Sequence, residues 1–192
     1  MHSNKGVLRI IGGKYRSRQL RVPARPGLRP TPDRVRETLF NWLGQDLSGL
    51  ACLDLFAGSG ALGFEAASRG AAQVTLVEKD RAALAELERS RAALGASQVS
   101  IHGGDASAFL ACKGAGFDVV FLDPPFRQNA LPTLLAQLPA RLLPAARVYV
   151  EADAPVATAA PWTELKRARA GRVSYQLLRW DGHDQSGVPG NV

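Results

Sequence analysis

From residue 51 onward, short uninterrupted apolar runs alternate with stretches whose apolar residues recur at helical spacing. Residues 51–56, 73–78, 99–102, 118–122 and 147–151 read as strands, and residues 61–69, 81–94 and 130–138 as helices. Strands that are apolar on both sides and separated by helices predict a parallel sheet covered on both faces, hence an α/β fold. Beyond a Pro/Ala linker at 154–161, residues 163–170 and 172–180 meet at Gly171 as a closing antiparallel hairpin. Upstream, residues 7–11 and 15–22 flank Gly12-Gly13, which predicts a small hairpin whose glycines supply the positive φ angles of a tight turn. Pro23, Pro26, Gly27 and Pro30 then break regular structure. Thr31 is the expected N-cap of a helix that has Pro32 at its first position, runs through Leu43 and ends near Gly44 or Gly49.

A chain of 192 residues is long enough for one domain with a buried core plus a small appendage. No apolar run approaches the roughly 18 residues of a membrane helix. The start, Met1-His2-Ser3-Asn4-Lys5, lacks the apolar centre of a signal peptide, so a cytoplasmic protein is expected. Cys52, Cys112 and the three histidines show no metal-ligand spacing, and no metal is expected. Cys52, inside an apolar run, is a packing residue in this reading.

Charge adds more. The formal net charge is +7, and the excess is uneven. Lys5, Arg9, Lys14, Arg16, Arg18, Arg21, Arg25, Arg29, Arg34 and Arg36 all precede Glu37, opposed only by Asp33. Such a block suits a polyanion, because neutralising phosphates releases counterions. Arginine, the dominant type, forks onto phosphate and stacks on bases better than lysine does. A solubilising arm or a membrane-surface patch is the alternative. Lys14, Arg16, Arg18 and Arg21, on the predicted hairpin, are the candidate nucleic-acid contacts.

Residues 53–63, Leu-Asp-Leu-Phe-Ala-Gly-Ser-Gly-Ala-Leu-Gly, read as strand, glycine-rich turn and helix start. Gly58, Gly60 and Gly63 match the dinucleotide fingerprint, so a nicotinamide-dependent oxidoreductase has to be weighed. Asp54 argues against it. A carboxylate there repels a pyrophosphate but complements the ammonium and sulfonium groups of S-adenosylmethionine. Glu78, ending the next strand, can accept hydrogen bonds from both ribose hydroxyls, as it could in either cofactor class. Asp105, after the third strand, is either an acceptor for the adenine amino group or a turn or helix-cap residue. The candidate cofactor set is Asp54, Phe56, Ala57, Gly58, Gly60, Glu78, Lys79, Asp105 and Ala106.

Asp123-Pro124-Pro125-Phe126 follows the fourth strand, on the sheet edge where ligands of open α/β sheets bind. An exocyclic base nitrogen is a poor nucleophile because its lone pair is delocalised. Asp123 and the Pro124 carbonyl can each accept an N–H from such an amine and aim its lone pair at a methyl donor. Pro124 and Pro125 stiffen the backbone, and Phe126 offers a stacking face for a base drawn from its helix. An ordinary β-turn with an acidic first residue is the alternative.

These residues resemble the amino-methylating class I methyltransferases, whose motif is (Asn/Asp)-Pro-Pro-(Tyr/Phe). Residues 9–16 (Arg-Ile-Ile-Gly-Gly-Lys-Tyr-Arg), 29–31 (Arg-Pro-Thr), 34–43, 54–63 and 65–71 are similar to the RsmD family, bacterial methyltransferases of guanine N2 in 16S rRNA. The resemblance spans about residues 9 to 180. It implies a Rossmann-like, mostly parallel seven-stranded sheet with an antiparallel closing hairpin, and an RNA-binding hairpin before it. It also implies S-adenosylmethionine as methyl donor, S-adenosylhomocysteine as product, and 16S rRNA in the small ribosomal subunit as partner. The expected organisation is a basic RNA-binding arm over 1–30, a methyltransferase domain over 31–183 and a flexible tail over 184–192, acting as a monomer. The resemblance further implies that residues 31–36 lie over the cofactor. That would bring Arg34 or Arg36 to the methionine carboxylate, with phosphate binding or surface charge the alternative for each.

Two rival readings remain at this point. A DNA adenine-N6 methyltransferase could use the same tetrapeptide, although the chain is short and no separate target-recognition domain is visible. A non-enzymatic nucleic-acid-binding module would explain the basic block but not Asp54, Glu78 and Asp123 at sheet ends.

Overall fold

The computed structural model describes residues 6–22, 31–125 and 130–182. Outside them lie Met1 to Lys5, the Pro/Gly-rich stretch with Arg25 and Arg29, Phe126, and the predicted tail at 184–192.

The elements are β1 (Val7–Arg9), β2 (Gln19–Arg21), α1 (Asp33–Leu43), β3 (Ala51–Asp54), α2 (Ala61–Ser68), β4 (Gln73–Glu78), α3 (Arg81–Leu94) and β5 (Val99–Gly103). There follow α4 (Ala106–Ala111), β6 (Phe117–Leu122), α5 (Leu131–Gln137) with a 3-10 turn at Leu138–Arg141, β7 (Leu142–Ala152), β8 (Trp162–Ala170) and β9 (Val173–Trp180). Seven strands form one sheet in the order β5-β4-β3-β6-β7-β9-β8. β3 to β7 run parallel, while β9 is antiparallel to both β7 and β8. The expected α/β sheet with its closing hairpin is therefore present.

Period-two alternation explains the layering. Cys52, Val74, Leu76, Val119, Phe121 and Tyr149 face one side, where they meet Leu39 and Phe40 of α1, Phe64 of α2 and Leu87 of α3. Leu53, Val77, Val120, Leu122, Val148 and Val150 face the other, against Leu110 of α4 and Leu134 of α5. Each fully buried leucine or phenylalanine contributes about 1.5–3 kcal/mol. Cys52 is buried and free, and its thiol is pushed up to about 12, chiefly by burial. α3 starts and stops where local chemistry dictates. Asp80 accepts the Ala83 N–H at 2.9 Å, and Gly95 closes the helix in the left-handed conformation.

β3 is the switch point of the sheet. The chain moves outward from β3 to β4 and β5, then returns to β3's other side with β6. Side chains at the carboxyl ends of β3, β4, β6 and β7 consequently border one crevice.

Two expectations are corrected. The N-terminal hairpin is not two long strands around a tight Gly-Gly turn: its strands hold three residues each, paired Val7 to Arg21 and Arg9 to Gln19, and residues 10–18 connect them. Gly12 and Gly13 serve close approach instead. A Cβ on Gly13, at φ +73°, would sit 1.8 Å from the Ser68 carbonyl oxygen. Thr31 does not cap α1. Pro32 holds the cap position without a side-chain bond, and the helix begins at Asp33. The Thr31 hydroxyl is drawn away to a carboxylate across the sheet, because an acceptor buried there has the stronger claim on it.

Candidate active site

Three acids from three strand ends share the crevice. Asp54 ends β3, Asp123 follows β6 directly, and Glu151 is the penultimate residue of β7. Asp54 and Glu151 are buried, at 3% and 5% exposure. Asp123 is half-buried as a residue, and its carboxyl is desolvated. No lysine or arginine pairs with any of the three among the described residues. Burial pushes Asp54 up to about 7, Glu78 adds to the rise, and the Phe56 and Gly63 N–H groups oppose it at 3.4 and 3.2 Å. Asp123 is raised well above the usual carboxylate range by burial, then by the charges of Glu151 and Asp54, with the Thr31 hydroxyl opposing. Burial raises Glu151 too, against hydrogen bonds from Tyr149 and Thr31. Those bonds run from Tyr149 Oη at 2.8 Å and Thr31 Oγ1 at 3.2 Å, both to Oε1. Among the described residues this cluster of carboxylates has no cation, and positive charge is what a sulfonium and an ammonium supply.

The glycine loop is wired to this cluster. Asp54 Oδ2 accepts the N–H of Gly63, a first-turn donor of α2 that no helix carbonyl can satisfy. Gly63 also lets α2 lie on the sheet, since a Cβ there would come within 2.1 Å of the Leu76 side chain. Gly60, at φ +77°, packs likewise against Phe64 and Leu87. The Gly58 N–H donates to Glu78 Oε2 at 2.9 Å, while Oε1 accepts the Asp80 N–H at 2.8 Å. Each oxygen keeps a lone pair for a ribose hydroxyl. Ala57 is buried and tied to the Val77 carbonyl, Phe56 is half-buried, and Lys79 is exposed. Asp105 is the N-cap of α4, with Oδ1 accepting the Ser107 and Ala108 N–H groups, and Ala106 is buried beneath it. The cap role weighed for Asp105 is thus present, and Oδ2 accepts nothing among the described residues.

Pro124 and Pro125, directly after Asp123, line a pocket with Leu131 and with Glu151 of the carboxylate cluster. The structure brings together Asp54, Glu78, Asp123, Pro124 and Pro125 as the sequence suggested. Sequence reasoning missed Glu151, Tyr149 and Thr31. The available signal was an acid near the end of a strand otherwise apolar on both faces, at the same sheet edge as Asp54 and Asp123.

Lys14, Arg16, Arg18 and Arg21 are exposed on the hairpin. Arg18 is also an anchor, donating to the Ala93 carbonyl at 2.9 Å near the end of α3. The hairpin is pinned to α2: Ile11 and Gly12 N–H groups donate to Glu65 at 2.8 Å, Lys14 N–H to the Ser68 carbonyl at 2.7 Å, and Tyr15 N–H to Ser68 Oγ at 2.8 Å. Arg36 is fully buried, paired with Asp33 at 2.7 Å and Glu65 at 3.5 Å and bonded to the Arg9 carbonyl. It is committed to this pillar, which leaves exposed Arg34 as the arginine of α1 with access to a ligand.

Comparison with known proteins converges on one family. The family model described as conserved hypothetical protein 95 matches residues 8–179. The chain is 45% identical to ribosomal RNA small subunit methyltransferase D of Escherichia coli K12 over 190 residues, 96% of each chain. It is 45% identical to the protein of the same name in Haemophilus influenzae, over 91% of this chain and 95% of that one. Among solved structures, the yhhF protein of Escherichia coli superposes with a TM-score of 0.85 at 45% identity, over 93% of this chain and 100% of that one.

Proposed function

Since the chain belongs to the conserved hypothetical protein 95 family, alongside ribosomal RNA small subunit methyltransferases D, we propose that it methylates the exocyclic N2 of a guanine in 16S rRNA. The methyl donor is S-adenosylmethionine, and the RNA is presented in the assembled small subunit. The observation that carries this reading is the convergence of Asp54, Asp123 and Glu151 on one crevice with Pro124 and Pro125 beside it, no cation pairing with them among the described residues.

S-adenosylmethionine supplies an electrophilic methyl group on a positively charged sulfur. Asp54 offers its charge to the methionine end and Glu78 its lone pairs to the ribose. Asp123 and the Pro124 carbonyl accept one N–H each from the target amine. Two acceptors at fixed positions hold the nitrogen in line and favour the hybrid with a free lone pair. As that nitrogen forms its new bond it must lose a proton, and the Asp123 carboxylate, whose hold on a proton is raised by burial and then by the charges of Glu151 and Asp54, takes it along the hydrogen bond it already accepts. Phe126 stacks the flipped base in this reading. Lys14, Arg16, Arg18 and Arg21 bind phosphates, and residues 1–30, 31–183 and 184–192 serve as arm, catalytic domain and tail. The chain acts as a monomer in the cytoplasm, since one chain supplies every group named and ribosomal RNA is found there.

Asp123→Ala should lower methyl transfer by about 10²–10⁴-fold while S-adenosylmethionine affinity stays within a few-fold. Nucleoside mass spectrometry of rRNA from cells holding wild type, variant or neither checks it. Near-normal N2-methylguanosine with the variant would remove Asp123 from the chemistry; loss of N6-methyladenosine from DNA instead would favour the adenine enzyme.

A further inference from the structure

Glu151 has one oxygen that the described residues bond and one that they do not. Oε1 is fixed by Tyr149 and Thr31. Oε2 accepts no hydrogen bond among the described residues, although Glu151 is only 5% exposed and lines the pocket beside Pro124 and Pro125. Oε2 is not one of the enclosed polar atoms that lack a partner, which leaves it open to a ligand, and the two hydroxyls on Oε1 keep it from turning away. The strand register puts it next to the amine site: Leu122 pairs with Val150, so Asp123 and Glu151 come next in step on adjacent parallel strands.

The bases differ at the atom next to the reacting amine. In guanine the ring nitrogen N1 beside the 2-amino group carries a proton. In adenine the N1 beside the 6-amino group carries a lone pair. We infer that Glu151, through Oε2, accepts the N1–H of the target guanine and is the residue that makes this pocket reject adenine. The inference rests on the guanine-N2 reading above. With the amine held by Asp123 and the Pro124 carbonyl, guanine presents a donor to Glu151, whereas adenine would press a lone pair against a carboxylate. A site with a buried polar group rejects an analogue that leaves the group unpaired far better than an apolar slot does.

The test uses small subunits reconstituted with RNA carrying either guanosine or 2-aminopurine riboside at the target position. The analogue keeps the 2-amino group, but its N1 has no proton. Wild type should show kcat/KM on the order of 100-fold lower for the analogue. Glu151→Gln keeps the size and lets the amide oxygen face Tyr149 and Thr31, turning its NH2 toward the base. It should lose on the order of 100-fold on guanosine, and the gap between the two substrates should shrink to a few-fold. Glu151→Asp, which withdraws the carboxylate by one methylene, should narrow the gap in the same direction and carries the test if the glutamine variant does not fold. Equal losses on both substrates, or a wild type indifferent to the analogue, would overturn the inference. Wild-type methylation of a natural base other than guanine in small-subunit RNA would overturn the guanine reading itself.

Discussion

Burial, with the charge of Glu78 adding to it, lifts the Asp54 carboxyl to about 7, and proton linkage turns that rise into a cost that depends on pH. An unfolded chain loses that proton near 3.9, whereas the folded chain keeps it until about 7. Between those values the folded state binds more protons, so stability falls as pH rises through the window and levels off above it. A rise of about three units corresponds to up to about 4 kcal/mol. Asp54→Asn should therefore raise the melting temperature of the free protein at pH 8 but change little at pH 4, seen by calorimetry across pH. The same group fixes the donor's pH profile. S-adenosylmethionine should bind the ionised carboxylate, so its affinity should fall about tenfold per pH unit below about 7 and take up no such slope in Asp54→Asn. Titration calorimetry decides, and a flat profile in wild type would mean that Asp54 does not face the cation. Asp54 was legible in the sequence because an acid inside an apolar strand just before a glycine loop has few structural uses. Glu151 sits in an equivalent place, but no glycine loop succeeds it, and its partner Thr31 lies 120 residues away.

Elements were read best where their causes are local. α3 was delimited at both ends, since Asp80 and Gly95 lie beside it in sequence, and β4 likewise, between turn residues and an acid. The hairpin is present, but its turn was misread because the cause is distant. Gly-Gly in a short window signals a tight turn, yet here it clears space for a helix end more than fifty residues on. The readings separate experimentally. Gly13→Ala puts a Cβ 1.8 Å from the backbone oxygen of Ser68 at a φ of +73°, so neither strain nor clash can relax through a side chain. It should cost roughly 3 kcal/mol or more in urea unfolding, and hydrogen exchange at the Lys14 and Tyr15 amides should rise with it. Ser68→Ala, which removes only the hydroxyl from Tyr15 N–H and the Gly12 carbonyl, should cost about 1–2 kcal/mol. A neutral Gly13→Ala would restore the free-turn reading.

At the scale of the whole molecule, α2 is the strut between the two halves of the proposed task. Its first turn is held by Asp54 at the carboxylate cluster, and its last turn holds the hairpin through Glu65 and Ser68. Gly63 and Ser68 are five residues apart on this helix, about 7.5 Å at 1.5 Å per residue. The basic hairpin is thereby a rigid extension of the pocket rather than a tethered arm, and Arg18 braces it from α3. The composition revealed the block of charge, but nothing in a local window could show where it docks. If Lys14, Arg16 and Arg21 contact phosphates from this fixed position, replacing all three with glutamine removes about three counterion-releasing contacts. The slope of log affinity against log salt should then become shallower by about 2 to 3 for RNA binding. S-adenosylmethionine affinity and the melting temperature should stay near wild type, because none of the three is in the ion-pair pillar of Arg36, Glu65 and Arg69. Binding of small-subunit RNA across a salt series measures it. An unchanged slope in a folded, donor-binding triple variant would mean that the RNA lies on another face, and that the hairpin's charge serves only its own solvation.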